Sequence, residues 1–567
     1  MAYNLLRERW IAVRRRSGAS DWIAPHQIAE RDDPPVAIAS PRPDFDGALI
    51  QFLIGLMQTT AAPKDKRAWE RRYEQLHTPE ELREQFATVE AAFNLDGEGP
   101  RFMQDLTLNA SEASPWDIAD LLITSPGENT IKNNSDFFIK RGEVSGMGLE
   151  MAAAALLTLQ LNSPEGGGGS AGGHNVSIRG GGPLTTIAIG RTLVETAWLN
   201  VLVADDFNAK FGNPEASAPG SVFPWEAPTR SGGKKAGVAT TPAEVHPLHQ
   251  FWAMPRRIRL EIDPSVTGRC SLTGRKSIVV ARCITAASGY RYLGELFRHP
   301  LSPYRKDASS EDSWRAIRSR SDALAYSYWP SITVGSDVVQ PARCISAARE
   351  RSARLQVALR IRSFGFETKQ EKARAWHDGV APIISVDEER EAAFRAFALR
   401  LVDASDTARR TLIGAVEQAL APRQLRKDEY RFKPDSGAFS LDNKSRLPDE
   451  LKAEISAAFW ARTEPSFFEA VAAVRDTLPD VEKLAPISER WLEALHQAAL
   501  ALFETYSQAN GDFGAADVRR VAVAWNELRR FTHPHSPLLR KAVGLAVKEP
   551  EQKKPKTKRS KKKEEQP

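Results

Sequence analysis

Apolar residues in the first two-thirds of the chain come in short runs broken by Gly, Pro and Ser, whereas in the last third they settle into helical spacing. Thr185 to Ile189, Ile278 to Ile284 and Leu355 to Ile361 are β-branched or aliphatic runs between turn-forming clusters, which predicts strands. Longer apolar-periodic stretches at Asp44 to Gln58, Pro79 to Phe93 and the Ala-rich Leu149 to Leu161 predict helices among them. The polar, proline-bearing stretch from Asn213 to Pro242 reads as a long surface loop. Beyond about Asp387 the spacing changes: Phe394, Phe397 and Leu401, then Leu451, Ile455 and Phe459, then Leu492, Leu495, Ala499, Leu502 and Tyr506 each form one apolar stripe. A last helix is predicted over Ala515 to Arg530, with Val521, Trp525 and Leu528 inward. The fold class is therefore α+β, a large mixed N-terminal domain (residues 1–380) followed by an all-α C-terminal four-helix bundle (381–545). The remaining residues, 546–567, are Lys-rich, proline-bearing and free of aromatics, a composition that predicts disorder.

One segment stands outside this pattern. Between Glu165 and Gly182, the glycines at 166–169, 172, 173 and 180–182 crowd around a single basic residue, Arg179. Backbone without Cβ lets main-chain N–H groups come close to a ligand, with phosphate or nucleic acid the obvious target. The same composition also suits a flexible surface linker.

Composition narrows the partners. At 567 residues with 42% hydrophobic and 26% charged residues the chain is globular and long enough for several domains. A net charge of +6 permits an anionic partner without demanding one. Three cysteines, Cys270, Cys283 and Cys344, argue against a disulfide framework and for a reducing compartment, read as cytoplasmic. The first thirty or so residues lack an apolar core with a cleavage site, and the Met151 to Leu161 run is too short to span a bilayer, so no membrane partner is expected.

Catalytic motifs are not found. Gly268 to Ser277 approaches a P-loop but has the wrong spacing, with Arg275 inserted before Lys276, and reads better as a turn between strands. His246 and His249, like His533 and His535, flank a proline without an acid or cysteine at zinc spacing, so they read as surface histidines, and no metal or other cofactor is expected. There is no Gly-x-Ser-x-Gly elbow, and the carboxylate pairs Asp205/Asp206 and Glu388/Glu389 have no supporting motif. The expectation is a chain that is not an enzyme.

Taken in order, "YNLLRERWIAVR" near the N-terminus, "PRFMQDL" at Pro100 to Leu106, "IRGGGPLTT" at Ile178 to Thr186, "WLNVL" at Trp198 to Leu202 and "FWAMPRRIRL" at Phe251 to Leu260 resemble one family. It is the CasA-type large subunit of the type I-E CRISPR surveillance complex, Cascade. The resemblance implies a non-catalytic subunit that reads the protospacer-adjacent motif on double-stranded target DNA through the minor groove, helps open the duplex for the guide RNA, and docks a helicase–nuclease. Its partners would be the other Cascade subunits, CRISPR guide RNA, target DNA and that nuclease. Such a division of labour is physically sensible, because guide pairing reads the long sequence and protein need read only a short flank.

Three elements carry over by resemblance. A glycine loop in the minor groove matches residues 169–175, with Gly169, Gly172, Gly173, His174 and Asn175 as DNA contacts. A β-hairpin whose glutamine wedges under the flank matches Gly365 to Gly379, placing Gln370 at the wedge and Lys369 beside it. A loop toward the guide RNA and a neighbouring subunit matches Asn134 to Gly146, where Phe137 or Phe138 would stack or plug a pocket and Lys140 and Arg141 would meet phosphate. Arg179, Arg256, Arg257 and Arg291 are further candidate phosphate contacts; Arg256, Arg257 and Arg259 alternate along a strand, so they are not all expected to face DNA. Two readings remain beside this one, a phosphate-handling enzyme built on the glycine segment and a scaffold subunit without direct DNA reading.

Overall fold

Two helices, Pro43–Thr60 and Leu149–Asn162, are buried on nearly every face, and they form the centre of the first part of the molecule. A helix apolar all round has no amphipathic choice to make and must be enclosed. The computed structural model describes every residue except 1, 110, 112, 127–130, 134–141, 165–174, 231–237, 308–312, 321–324, 370–371, 421–430, 434–437, 441–446, 509–517 and 548–567. It divides into two compact units, Met1–Arg395 and Ala396–Pro567.

In the first unit, Phe52 on the Pro43–Thr60 helix meets Trp10, Phe93, Phe102 and Trp252 edge-on, with ring centroids 5.3 to 6.0 Å apart. Edge-to-face geometry aims positive ring edges at negative faces and adds to the burial itself. Small sheets surround this centre. Arg282–Ala286 lies between Ser114–Asp117 and Arg257–Leu260, and Leu359–Lys369 lies between Lys372–Ile383 and Thr185–Ile189. Both of these sheets are antiparallel, and Arg257 to Leu260 alternates half-buried and buried positions as one covered face requires.

Several predicted elements form as expected, and four differ for local reasons. Thr185–Ile189 is a strand, Pro43–Thr60 and Leu149–Asn162 are helices, and the P-loop-like segment is a turn between strands Thr267–Arg269 and Lys276–Val280. The run Ile278 to Ile284 is two strands, because the chain changes sheets at Ala281, whose carbonyl accepts from Ile118 N. Leu355 ends a helix, Arg343–Leu355, that Gln356 closes in the left-handed conformation at φ 54°; the strand begins only at Leu359. Pro79–Ala87 is helical, but its continuation to Phe93 is a separate 3-10 turn. The 213–242 stretch is not wholly superficial: Phe223 and Trp225 are buried, and Trp225 Nε1 donates to Ala92 O at 2.6 Å.

The second unit is largely helical. Within it, Leu401, Ala404, Ala408 and Leu412 form one buried stripe of the Glu388–Leu420 helix. Asp449–Thr477 buries Ile455, Phe459 and Phe467, and Ala485–Gln508 buries Trp491, Leu492, Leu495 and Ala499. Trp491 Nε1 donates to Leu401 O at 3.0 Å, satisfying the polar edge of an otherwise apolar contact. Val518–Thr532 follows, with Leu528 buried and Val521 and Trp525 only half-buried.

Candidate nucleic-acid interface

The two flanks of the glycine segment are brought together by a main-chain hydrogen bond and a close contact. Ser177 N donates to Ser163 O at 3.0 Å, and a Cβ on Gly181 would lie 3.2 Å from Pro164 Cα. Below this pinch, Asn175 Nδ2 donates to Gly289 O at 2.8 Å, and the Arg256 guanidinium donates to Pro164 O at 2.5 Å. Arg256 is itself held at both main-chain groups by the side-chain amide of Gln160, which donates to its carbonyl and accepts from its N–H at 3.0 Å. Residues 165–174, and with them Gly169, Gly172, Gly173 and His174, lie outside the described residues, as do Phe137, Phe138, Lys140, Arg141 and Gln370.

Past the pinch the chain makes a tight turn, with Gly180 N donating to Ser177 O and Ser177 Oγ to Gly180 O. This turn points Arg179 inward. Its guanidinium, only 5% exposed, donates to Gln51 Oε1 at 2.8 Å, Thr185 Oγ1 at 3.0 Å and Ser302 Oγ at 3.2 Å. Arg179 is thus an interior cation in a cage of neutral acceptors, and burial pulls its pKa down to about 10. Arg256 is equally buried, and burial pulls it down to about 10 as well. Both were expected at phosphate; in this structure their hydrogen bonds fasten the chain around the glycine segment. Arg179→Ala should cost about 3 to 5 kcal/mol of stability by leaving three acceptors unpaired beside a void. Arg179→Met should cost less and leave the salt slope of DNA binding unchanged; a flatter slope in a folded Arg179→Met chain would restore Arg179 to the phosphate contacts.

The other expected cations are nearer the surface. Arg257 pairs with Asp105 at 2.7 Å, and Arg259 donates to Leu108 O at 3.1 Å, both on the half-buried face of their strand. Arg291 is half-buried in a short strand that runs parallel to Ala239–Thr240. Lys369 is exposed at the end of Leu359–Lys369 and pairs in register with Lys372, forming the last rung before the hairpin tip. The hairpin expected between Gly365 and Gly379 is therefore present, with a register shift between Glu367 and Thr368 just short of the tip.

The glycine segment and the hairpin share a base. Strand Thr185–Ile189, which follows the glycine segment directly, pairs with Arg360–Phe364 of the hairpin. Gly182 has φ +63°, and a Cβ there would collide with Phe366 O and touch Thr368.

Sequence reasoning also missed a buried histidine. His249, read as a surface residue, is fully buried because its ring completes a chain of hydrogen bonds under the Gly289 to Gly294 turn. Met254 N donates to Tyr292 Oη, whose hydroxyl donates to His249 Nε2, and Nδ1–H donates to Ser221 O. That chain requires the neutral ring, and burial lowers its pKa from 6.5 to about 4. The unfolded chain then binds more protons across this window, so the contribution is complete above about pH 6.5 and is lost progressively toward about pH 4. Acidification should remove up to about 3 kcal/mol through this group, and His249→Gln should flatten the stability–pH curve measured by urea unfolding between those limits.

Among the described residues no cluster of His, Cys, Asp and Glu could hold a metal ion, and no helix is long and apolar enough to cross a membrane. Cys270, Cys283 and Cys344 are all buried and unpaired by disulfide, and burial pushes the Cys283 thiol up to about 12, away from nucleophilic use.

Residues 4–502 match the family model described as CRISPR-associated protein Cse1. The chain belongs to the Cse1 family. Its fold is similar to that of Thermobifida fusca Cse1, at a TM-score of 0.66 and 14% identity, covering 96% of this chain and 99% of that one. It is also similar to Thermus thermophilus CasA, at 0.62 and 18%, covering 94% and 99%. A chain of a structure titled "CRISPR RNA-guided surveillance complex" matches at 0.61 and 17%, with the same coverage. At these identities the likeness establishes the Cse1 fold, a mixed helix-and-sheet region followed by a helical one.

Proposed function

We propose that this chain is the large, non-catalytic subunit of a type I-E RNA-guided surveillance complex. It reads the protospacer-adjacent motif from the minor groove of duplex DNA with residues 169–174, Asn175 being buried at their base, opens the first base pair with the Lys369–Gln370 tip, and docks the helicase–nuclease. Residues 134–146 face the guide RNA and a neighbouring subunit, and the complex acts in the cytoplasm. The observation that carries this reading is the common base of the glycine segment and the hairpin: one strand, Thr185–Ile189, leaves the first and pairs with the second. Flank reading and duplex opening need elements whose spacing is fixed, and a β-ladder fixes it. Family membership and the likeness to a chain of a surveillance complex support the partners. The minor groove offers a degenerate pattern, so several related flanks should be accepted.

The test is reconstitution with guide RNA and the other subunits, followed by binding to duplexes that differ only in the flank. Flank-dependent affinity that disappears when this subunit is left out supports the reading. Equal affinity for every flank leaves a scaffold role instead.

A further inference from the structure

We propose that Ser319 is a coupling residue that joins the flank-reading segment to the duplex-opening hairpin; this rests on the function proposed above. Ser319 is 1% exposed and touches both elements through main-chain atoms. Its N–H donates to Gly182 O at 2.9 Å, and its hydroxyl donates to Gly365 O at 3.1 Å.

The location explains why a side chain is needed. Pairing between the Thr185–Ile189 strand and the hairpin runs from Ile189 with Arg360 to Thr185 with Phe364 and then stops. The next residue back, Leu184, sends its N–H to Ile317 O at 2.7 Å, and Pro183 has no N–H to give. Gly365 O is thus past the end of the ladder, and the Ser319 hydroxyl spans the gap. Packing there leaves no slack: a Cβ on Gly365 would stand 2.5 Å from Pro183 O and 2.9 Å from Ser319 Cβ. A displacement of the chain at Gly182 therefore reaches the hairpin at Gly365 through Ser319, beside its direct approach to Phe366 O, and the hairpin carries it to Lys369 at the tip.

Ser319→Ala removes the hydroxyl link and keeps the main-chain bond to Gly182, so the reader stays in place while its connection to the wedge loosens. In the reconstituted complex, two targets separate the steps: a fully paired duplex, and one already mismatched at the first base pairs, each with a good and a poor flank. Opening is followed by fluorescence of a base analogue at the first pair. Ser319→Ala is expected to keep flank discrimination on the pre-opened target within about twofold and to slow opening of the paired target about five- to tenfold, the worth of one hydrogen bond. Gly365→Ala presses on the same joint from the other side, and the double variant should lose less than the product of the two single losses. Paired-target opening at the wild-type rate in Ser319→Ala would overturn the coupling role, as would an equal loss on both targets, which is what a merely structural defect gives. Wild type that fails to discriminate flanks on either target would overturn the flank-reading function, and the coupling with it.

Discussion

Gly182→Ala is expected to be among the most damaging single-methyl changes in the Met1–Arg395 unit. The backbone there has φ +63°, where an L-residue with a Cβ is strained by about 1 to 2 kcal/mol. The new methyl would also collide with Phe366 O, a main-chain atom held in the hairpin ladder, and relieving such overpacking costs a further 1 to 3 kcal/mol or so. A loss of about 3 kcal/mol should appear as a lower urea midpoint, with duplex opening impaired because the hairpin must shift. Gly180→Ala is the control, since Gly180 has φ +84° but open space where a Cβ would go. It should lose only about 1 kcal/mol and open duplex normally. Equal effects of the two substitutions would mean that backbone strain alone matters and that contact with the hairpin does not.

Gly172→Asp should give the largest loss of flank-dependent binding. With residues 169–174 in the minor groove, the added carboxylate lies between two phosphate strands, and each pair of like charges at about 5 Å costs on the order of 1 to 3 kcal/mol at interfacial dielectric. A 30- to 100-fold or so weakening for the preferred flank follows, with assembly into the complex intact. The deficit should shrink as salt rises, because screening weakens the new repulsion. Gly172→Ala adds bulk without charge, so its deficit should be smaller and independent of salt. Wild-type affinity in a correctly assembled Gly172→Asp complex would move the reader away from this segment.

What the residues announced in advance was whatever local pattern decides. Thr185 to Ile189 is a strand as its side chains suggest, and the Leu492, Leu495 and Ala499 stripe is buried on a helix. The hairpin at Gly365 to Gly379 was recognisable by resemblance, and the two arms pair as that resemblance implies. Long-range partners were not legible. A lone arginine among glycines reads as exposed, yet Arg179 turns inward because Gln51, Thr185 and Ser302 offer acceptors that only the folded chain assembles. His249 follows the same logic through Tyr292 and Ser221. Gln356 ends its helix in a conformation usually left to glycine or asparagine, so nothing in its type marked the boundary. Ser319 carries no motif at all, and only the folded chain sets it beside a ladder that ends one residue short of Gly365.

The register shift between Glu367 and Thr368 bears on how this hairpin could be re-engineered. Side chains alternate faces along a strand, so an odd insertion on one arm exchanges inward and outward residues all the way to the tip. A hairpin transplanted from a relative would turn its tip residues to the opposite face unless it brought its own bulge or matched this one. Parity, then, is the first thing to conserve in a graft, ahead of the identity of the tip residues.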